Sequence, residues 1–243
     1  MNFAIYIPAK NVAGTILAVI GRIPEELRVS AKEIIVVDNA STDNTSQIIA
    51  GYQSSHSTPP IHYIRHESDA GYGGSQKAAY RRVLEMKYEA VAMVHGDGQY
   101  APEVLGELLK TLQEKKCGMV FGSRMSGDPL GGGMPLYRYV ANIALTKAEN
   151  YLLGTSLSEF HSGYRVYSGE ALRKINLGHC SDDYHFDTDI IIELVDKKIA
   201  IAEVTIPTHY GKESKSISFV HSVYYGLNVL KSALSYRMKS REK

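Results

Sequence analysis

The sequence predicts an α/β protein: a mostly parallel twisted sheet with helices on both faces. Three observations carry this. Short β-branched runs alternate with helical patterns through the first half, which is the signature of βαβ units. Each of these runs is followed by a polar or glycine-bearing segment, as at the carboxyl ends of a parallel sheet. The chain has 243 residues, 44% hydrophobic and 22% charged, matching one large globular domain or two small ones.

The elements follow in order. Phe3–Pro8 reads as the first strand, and Thr15–Ile20 opens a helix. Glu33–Asp38 is a buried strand by its run of Ile and Val. Ser41 or Asp43 can cap the helix that follows, around Thr45–Tyr52. Ile61–His66 is a third strand, Gln76–Met86 a helix and Ala90–His95 a fourth strand. Pro102 stands where a first-turn proline belongs, opening a helix that runs to about Lys115. Gly118–Ser123 is a fifth strand. Gly127–Pro135, rich in glycine and proline, reads as a mobile loop.

Leu136–Leu153 reads as an amphipathic helix. Leu136, Val140, Ile143, Ala144, Ala148, Tyr151 and Leu152 form its apolar side. Arg138, Asn142, Glu149 and Asn150 form its polar side. Packing of the apolar side on the sheet is the simpler account; a membrane surface is the other. Gly163–Tyr167 and Ile201–Pro207 are further strand candidates, with a helix near Thr188–Lys197 between them. Gly211–Ser218 is a polar loop. A last helix carries the stripe Val223, Leu227, Leu230 and Leu234, and a basic tail with Lys231, Arg237, Lys239, Arg241 and Lys243.

Charge and composition exclude several classes. Lys and Arg number 27 against 26 Asp and Glu, so the net charge of +1 gives no overall pull toward nucleic acid. Two cysteines, Cys117 and Cys180, make neither a disulfide scaffold nor a cysteine zinc site, and suit a reducing compartment. No stretch approaches the roughly 20 apolar residues that span a bilayer. The amino terminus lacks a basic n-region and a cleavage site, so a cytoplasmic location is expected.

Chemistry is expected just after the strands. There stand Pro8-Ala9-Lys10-Asn11, Asp38-Asn39-Ala40-Ser41, Asp69-Ala70-Gly71-Tyr72-Gly73-Gly74, His95-Gly96-Asp97-Gly98-Gln99 and Gly122-Ser123-Arg124. The dinucleotide fingerprint and the phosphate loop are both absent from the first turn, so another device must neutralise any nucleotide phosphates. Asp97, flanked by Gly96 and Gly98 and followed by Gln99, offers hard oxygen ligands for Mg²⁺ or Mn²⁺ on a diphosphate. A plain Asp-Gly turn is the competing account. Asp38 ends its strand where it can accept from a ribose or base, or act as a helix cap. Gly71, Gly73 and Gly74 either approach a ligand closely or form a turn. Arg124 can grip a phosphate in bidentate fashion.

Taken with Ser162-Gly163-Tyr164-Arg165-Val166-Tyr167 and Glu213-Ser214-Lys215, these segments resemble the family 2 glycosyltransferases with a GT-A fold. Within them the chain is similar to the polyprenyl-phosphate sugar synthases of the dolichol-phosphate mannose synthase type. The resemblance implies a single glycosyltransferase domain over 1–243, with a nucleotide-sugar-binding half to about residue 125 and an acceptor half beyond it. It implies a donor pocket lined by Pro8, Ala9, Asn11, Val36, Asp38, Asn39, Gly71, Gly74, Gly96 and Asp97. It places a divalent metal on Asp97 and Gln99, the phosphates on Arg124 and Lys215, and Glu159, Tyr164 and Arg165 on the acceptor side. His95 stands where many members carry the first aspartate of an Asp-x-Asp pair. One extra residue in His209–Lys215 unsettles the acceptor assignment further.

The reaction so implied is an inverting, metal-dependent transfer from a GDP- or UDP-sugar to a polyprenyl phosphate. An ionised lipid phosphate needs no general base; a sugar hydroxyl acceptor, the alternative, needs a carboxylate such as Glu159 or Asp187, for both of which ordinary ion pairing or capping is the simpler account. A non-catalytic nucleotide-sugar-binding module is the reading from another class. A nucleotidyltransferase would carry a basic glycine-rich loop after the first strand, which is missing. No nucleic-acid partner is expected. Peripheral contact with the cytoplasmic membrane face is expected from the apolar helix side and the basic tail.

Overall fold

A computed structural model describes residues 1–207 and 219–241. Among them the sheet has seven strands: β1 (Phe3–Ala9), β2 (Ile34–Asn39), β3 (Ile61–His66), β4 (Ala90–Met93), β5 (Met119–Ser123), β6 (Arg165–Ser168) and β7 (Ile201–Thr205). Their order is β3-β2-β1-β4-β6-β5-β7. All neighbours are parallel except β6, which runs antiparallel to β4 and β5. The predicted fold class therefore holds, with one reversed strand wedged into it.

Alternation along the strands fills both faces. Phe3, Ile5 and Ile7 of β1 join Ile34 and Val36 of β2 and Ala92 and Val94 in one core. That core takes Ile16 and Ile20 from α1 (Ile16–Arg22), Ile49 from α3 (Thr45–Ser55) and Leu108 from α5 (Leu105–Glu114). Ala4, Tyr6, Ile35, Val37 and Met93 point the other way. They meet Tyr80 and Val83 of α4 (Gly71–Glu85), Leu172 of α7 (Gly169–Lys174) and Ile190 and Leu194 of α8 (Phe186–Asp196). Burial on both faces is why these strands read as continuous apolar runs. The short helix α2 (Glu25–Ser30) buries no residue, so no apolar stripe announced it.

Two sequence readings are corrected here. The first concerns Gly71, Gly73 and Gly74, which were read as a turn or a ligand approach. They form the first turn of α4, five residues upstream of the expected start, and pack closely on the chain itself, Gly71 at the same time lining the cleft described below. The N–H groups of Gly73 and Gly74 donate to the Asp182 carbonyl at 2.8 and 3.2 Å. Gly71 has φ +78°, and a Cβ there would collide with that same carbonyl. Gly71→Ala is therefore expected to lower unfolding stability by about 1–3 kcal/mol, read as a shifted urea midpoint.

The second concerns α6 (Leu136–Leu153), whose limits match the expected helix but whose orientation is reversed. Glu149 is fully buried, whereas Leu136, Val140 and Tyr151 are 65%, 56% and 73% exposed. The polar side faces the protein because it meets polar partners there. Asn150 alone accepts from the Leu157 N–H at 2.9 Å and the Thr155 hydroxyl at 2.7 Å, and donates to the Leu157 carbonyl at 2.7 Å. Against α6 lies α9 (Phe219–Arg241), on which Leu227 and Leu234 are also exposed.

Candidate active site

The sheet's topology sets the site. β1 pairs with β2 on one side and β4 on the other, and this divergence opens a crevice at their carboxyl ends. A cleft of about 990 Å³ occupies it, lined by Pro8, Ala9, Asn11, Asn39, Gly71, Gly96, Asp97, Gln99 and Arg124 among the expected site residues.

The β1 and β2 turns are tied together by Asn11. Its backbone sits in the left-handed region at φ 54°, which asparagine tolerates well. Its N–H donates to the Ser41 hydroxyl at 2.9 Å, and its side-chain oxygen accepts from the Thr42 N–H at 2.8 Å. Asn39 bridges to the next turn: its amide donates to Asp69 at 2.7 Å and its oxygen accepts from the Ala70 N–H at 2.8 Å. Asp69 also pairs with Lys10, and the hydrogen bond from Lys10 holds its carboxyl below the usual range.

Val36, Asp38 and Gly74 do not line the cleft. Val36 and Asp38 are fully buried. Burial alone would raise the Asp38 carboxyl, but hydrogen bonds from Ser41, Tyr63 and Ser46 outweigh it and hold it below the usual range. The Ser41 N–H lies 2.8 Å from Oδ1, and the Tyr63 hydroxyl 2.5 Å from Oδ2. Asp38 thus braces the β2 turn from behind the cleft lining.

Asp97 is exposed after β4. Its Oδ1 accepts from the Gln99 N–H at 3.0 Å, which closes the turn that the sequence also allowed. Its Oδ2 takes no hydrogen bond among the described residues. The two accounts of Asp97 therefore coexist on different oxygens. His95 is directed elsewhere: its Nε2 lies 3.2 Å from the Gly163 carbonyl, which can only accept, so the proton is on Nε2. Its ring packs edge-on to Tyr100 at 5.1 Å.

The acceptor half is organised around two buried arginines. Arg124 donates from Nη2 to Glu159 at 2.6 Å and to the His161 carbonyl at 3.0 Å. Burial would raise the fully buried Glu159 carboxyl, but the Arg124 charge outweighs it and keeps it below the usual range. Glu159 therefore anchors Arg124 and lies outside the cleft lining. Arg165 is 1% exposed and donates to the carbonyls of Ser162, Phe160 and Asp187 at 2.7, 2.6 and 2.9 Å. It pins the 160–162 segment to α8. Tyr164 points into the core, with its hydroxyl 3.4 Å from the Pro102 carbonyl. Neither Tyr164 nor Arg165 lines the cleft, so both support the acceptor side from behind. Asp187 does line it, held by Tyr72, Gln76 and Arg165 at 3.3–3.4 Å. Lys215, with the Gly211–Ser218 loop, lies outside the described residues.

Several lining residues escaped the sequence reading. Arg138 and Asn142 of α6, His161, and Tyr225 of α9 close the acceptor end, and Tyr72 stacks on Tyr184 at 5.6 Å. The recurrence of Asn142, Thr146 and Glu149 at helical spacing was the available signal for a buried polar face on α6.

A nucleotide-type crevice with an exposed aspartate after β4, on this strand order, is the GT-A arrangement. Solved structures of glucosyl-3-phosphoglycerate synthase from Mycobacterium tuberculosis superpose at a TM-score of 0.70, covering 97% of this chain and 79% of theirs at 22% identity. The sequence pattern of Glycosyl transferase family 2 matches residues 4–175, and the chain belongs to that family of enzymes. A low-salt glycan biosynthesis hexosyltransferase from Haloferax volcanii is 32% identical over 72% of this chain and 40% of its own. The undecaprenyl-phosphate mannosyltransferase of Micrococcus luteus is 28% identical over 85% of this chain and 83% of its own. The polyprenol monophosphomannose synthase of Mycolicibacterium smegmatis is 27% identical over 83% and 75%.

Proposed function

We propose that this glycosyltransferase moves a sugar from a nucleotide diphosphate sugar to a polyprenyl phosphate, with inversion. One observation carries the reading. A single cleft joins the exposed Asp97 carboxylate to a wall made by α6 and α9, helices whose outward side chains include Val140, Tyr151 and Leu227. A polar donor end and an acceptor wall built from helices that carry apolar residues on their outer sides suit a substrate with a phosphate head and a lipid tail. Relatives named for undecaprenyl phosphate and polyprenol support the same acceptor.

The residues fit a divalent cation. Among the described residues no three His, Cys, Asp or Glu side chains converge into a cage. One free carboxylate oxygen on Asp97, with Gln99 beside it, is the donor set of Mg²⁺ or Mn²⁺ held mainly by substrate phosphates. The M. tuberculosis enzyme has been solved with Mn²⁺ and UDP. When bound, the ion supplies Lewis-acid charge to the departing diphosphate.

The chain's own residues do the rest. Asn11 and Asn39 fix the turns that receive the nucleoside. Arg124, held rigid by Glu159, puts a cation on the cleft wall where negative charge gathers during transfer. A phosphate oxygen of the acceptor attacks the anomeric carbon as the carbon–oxygen bond to the nucleoside diphosphate breaks. An ionised phosphate brings its own electron pair, so no side chain must remove a proton. For a saccharide hydroxyl acceptor, Asp187 is the carboxylate that lines the acceptor end.

The test is release of nucleoside diphosphate from GDP- and UDP-sugars, with and without a polyprenyl phosphate. Release that depends on the lipid phosphate is expected; release driven only by saccharides would overturn the acceptor. Peripheral membrane contact through α6 and α9 belongs to the same reading, since among the described residues no helix is long and apolar enough to cross a bilayer. The protein is expected to sediment with anionic vesicles at low salt, and the double change Val140→Glu with Tyr151→Glu to leave it in the supernatant. Wild-type protein wholly in the supernatant would remove membrane contact from the proposal.

A further inference from the structure

A polar chain behind the acceptor end has no task in the transfer as written above. Glu149 of α6 is fully buried, where a carboxylate without donors is strongly disfavoured. Its Oε1 accepts from the Thr188 hydroxyl of α8 at 2.8 Å. Its Oε2 faces Nε2 of His161 at 3.2 Å, off the linear hydrogen-bond axis. Neither of these two atoms has a hydrogen-bond partner elsewhere among the described residues. Across the imidazole ring, Nδ1 lies 2.8 Å from the Tyr225 hydroxyl of α9, the two rings meeting at 80°. His161 and Tyr225 line the cleft; Glu149 stands behind them.

The order of protons follows from these neighbours. A carboxylate only accepts, so the His161 proton nearest Glu149 is on Nε2. A His161 ring with a proton on each nitrogen, the form that pairs with the buried Glu149 carboxylate, donates from Nδ1 to the Tyr225 oxygen and leaves the phenol hydrogen for the cleft; the relay takes His161 in this form. Burial and the Asp187 and Glu149 carboxylates push the Tyr225 phenol up, so the hydroxyl keeps its hydrogen. The His161 carbonyl accepts from Arg124, which links this chain to the Arg124–Glu159 ion pair.

We propose that Glu149, His161 and Tyr225 form an acceptor-positioning relay, in which the Tyr225 hydroxyl donates to an anionic oxygen of the acceptor's phosphate. Tyr225 touches the acceptor; His161 and Glu149 act through it by fixing which way the hydroxyl points. The inference rests on the phosphate-acceptor reading above and takes a phosphate monoester as the ligand. Together with Arg124, the relay brings a neutral donor and a cation to one group.

Calorimetric titration tests this, using wild-type protein and Tyr225→Phe with nucleoside diphosphate and Mg²⁺ already bound. The probes are farnesyl phosphate and inorganic phosphate. Loss of one hydrogen bond to an anion is expected to weaken both by about tenfold, with affinity for the nucleoside diphosphate unchanged. His161→Asn should weaken them similarly, and the double variant no further than either single change, because the three groups act in series. Equal affinities in wild type and Tyr225→Phe, or losses that multiply in the double variant, overturn the relay. So does wild-type protein that binds neither probe. Wild-type protein that binds inorganic phosphate but not farnesyl phosphate, with Tyr225→Phe weakened, upholds the relay and removes the lipid acceptor.

Discussion

Asp97→Ala is expected to cut nucleoside diphosphate release by on the order of 10³-fold while leaving the melting temperature nearly unchanged. The separation of the two effects follows from where the residue sits. Asp97 is exposed, and its one hydrogen bond, to the Gln99 N–H, closes a surface turn. Little folding energy depends on it. Its second oxygen is the exposed carboxylate oxygen in the turn that follows β4, beside β1, where the sheet diverges. On the proposed function, removal takes away the anchor for a cation on the leaving diphosphate without disturbing a core. Steady-state release assays in Mn²⁺, paired with thermal melts, read both halves. Activity that survives within tenfold would show that the cation is held by other groups.

Glu159→Ala should produce the largest loss of stability, about 3–5 kcal/mol. For a chain of this length that is a fall in melting temperature on the order of 10 °C. Glu159 is fully buried and accepts from Arg124 Nη2 at 2.6 Å and from the Arg124 and Met125 N–H groups at 2.5 and 3.3 Å. Deleting it takes the counter-charge from a guanidinium that is itself about nine-tenths buried. The sign with pH is fixed as well. The folded carboxyl lies below its unfolded value of about 4.3, so its contribution is complete above that pH. It is lost as pH falls through the folded value. Denaturation midpoints of wild type and Glu159→Gln should therefore converge in acid. A gap that persists there would show that the pair does not carry the difference.

The two residues illustrate what is legible in a sequence. The exposed cleft position of Asp97 was recognisable because it depends on local chemistry: a carboxylate between glycines after an apolar run. Glu159 was singled out too, as an acceptor-side carboxylate or a plain ion-pair partner, and nothing in its neighbours signals that the partner is the arginine 35 positions away. Arg165 was placed on the acceptor side without a stated contact, and its partners are likewise invisible in its own segment. Its pattern lies at a strand edge, yet its fork is spent on the carbonyls of Phe160, Ser162 and Asp187. An arginine that satisfies buried carbonyls and one that grips a phosphate use the same donors, so residue type alone does not separate them.

Face assignment failed where partners were distant. α6 was bounded correctly because its start after Pro135 and its end at Gly154 in the left-handed conformation are local signals. Which side turns inward depended on Thr188, Leu157 and Glu159, none of them within the helix. The glycines at the start of α4 were likewise conspicuous, yet their cause is the Asp182 carbonyl more than a hundred positions on.

By itself the sequence determined the α/β class, most strand and helix limits, the family resemblance and the crevice residues after β1 and β4. Each depends on short-range patterning or on strand ends that a parallel sheet necessarily gathers at one edge. Only the tertiary structure decided that β6 runs antiparallel, that α6 presents its polar side inward, and that Asp38, Glu159 and Arg165 brace the cleft from behind. Those outcomes rest on pairings between residues far apart in the chain. A buried charge or amide takes its role from whichever donor or acceptor folding places beside it, and sequence spacing does not record that neighbour.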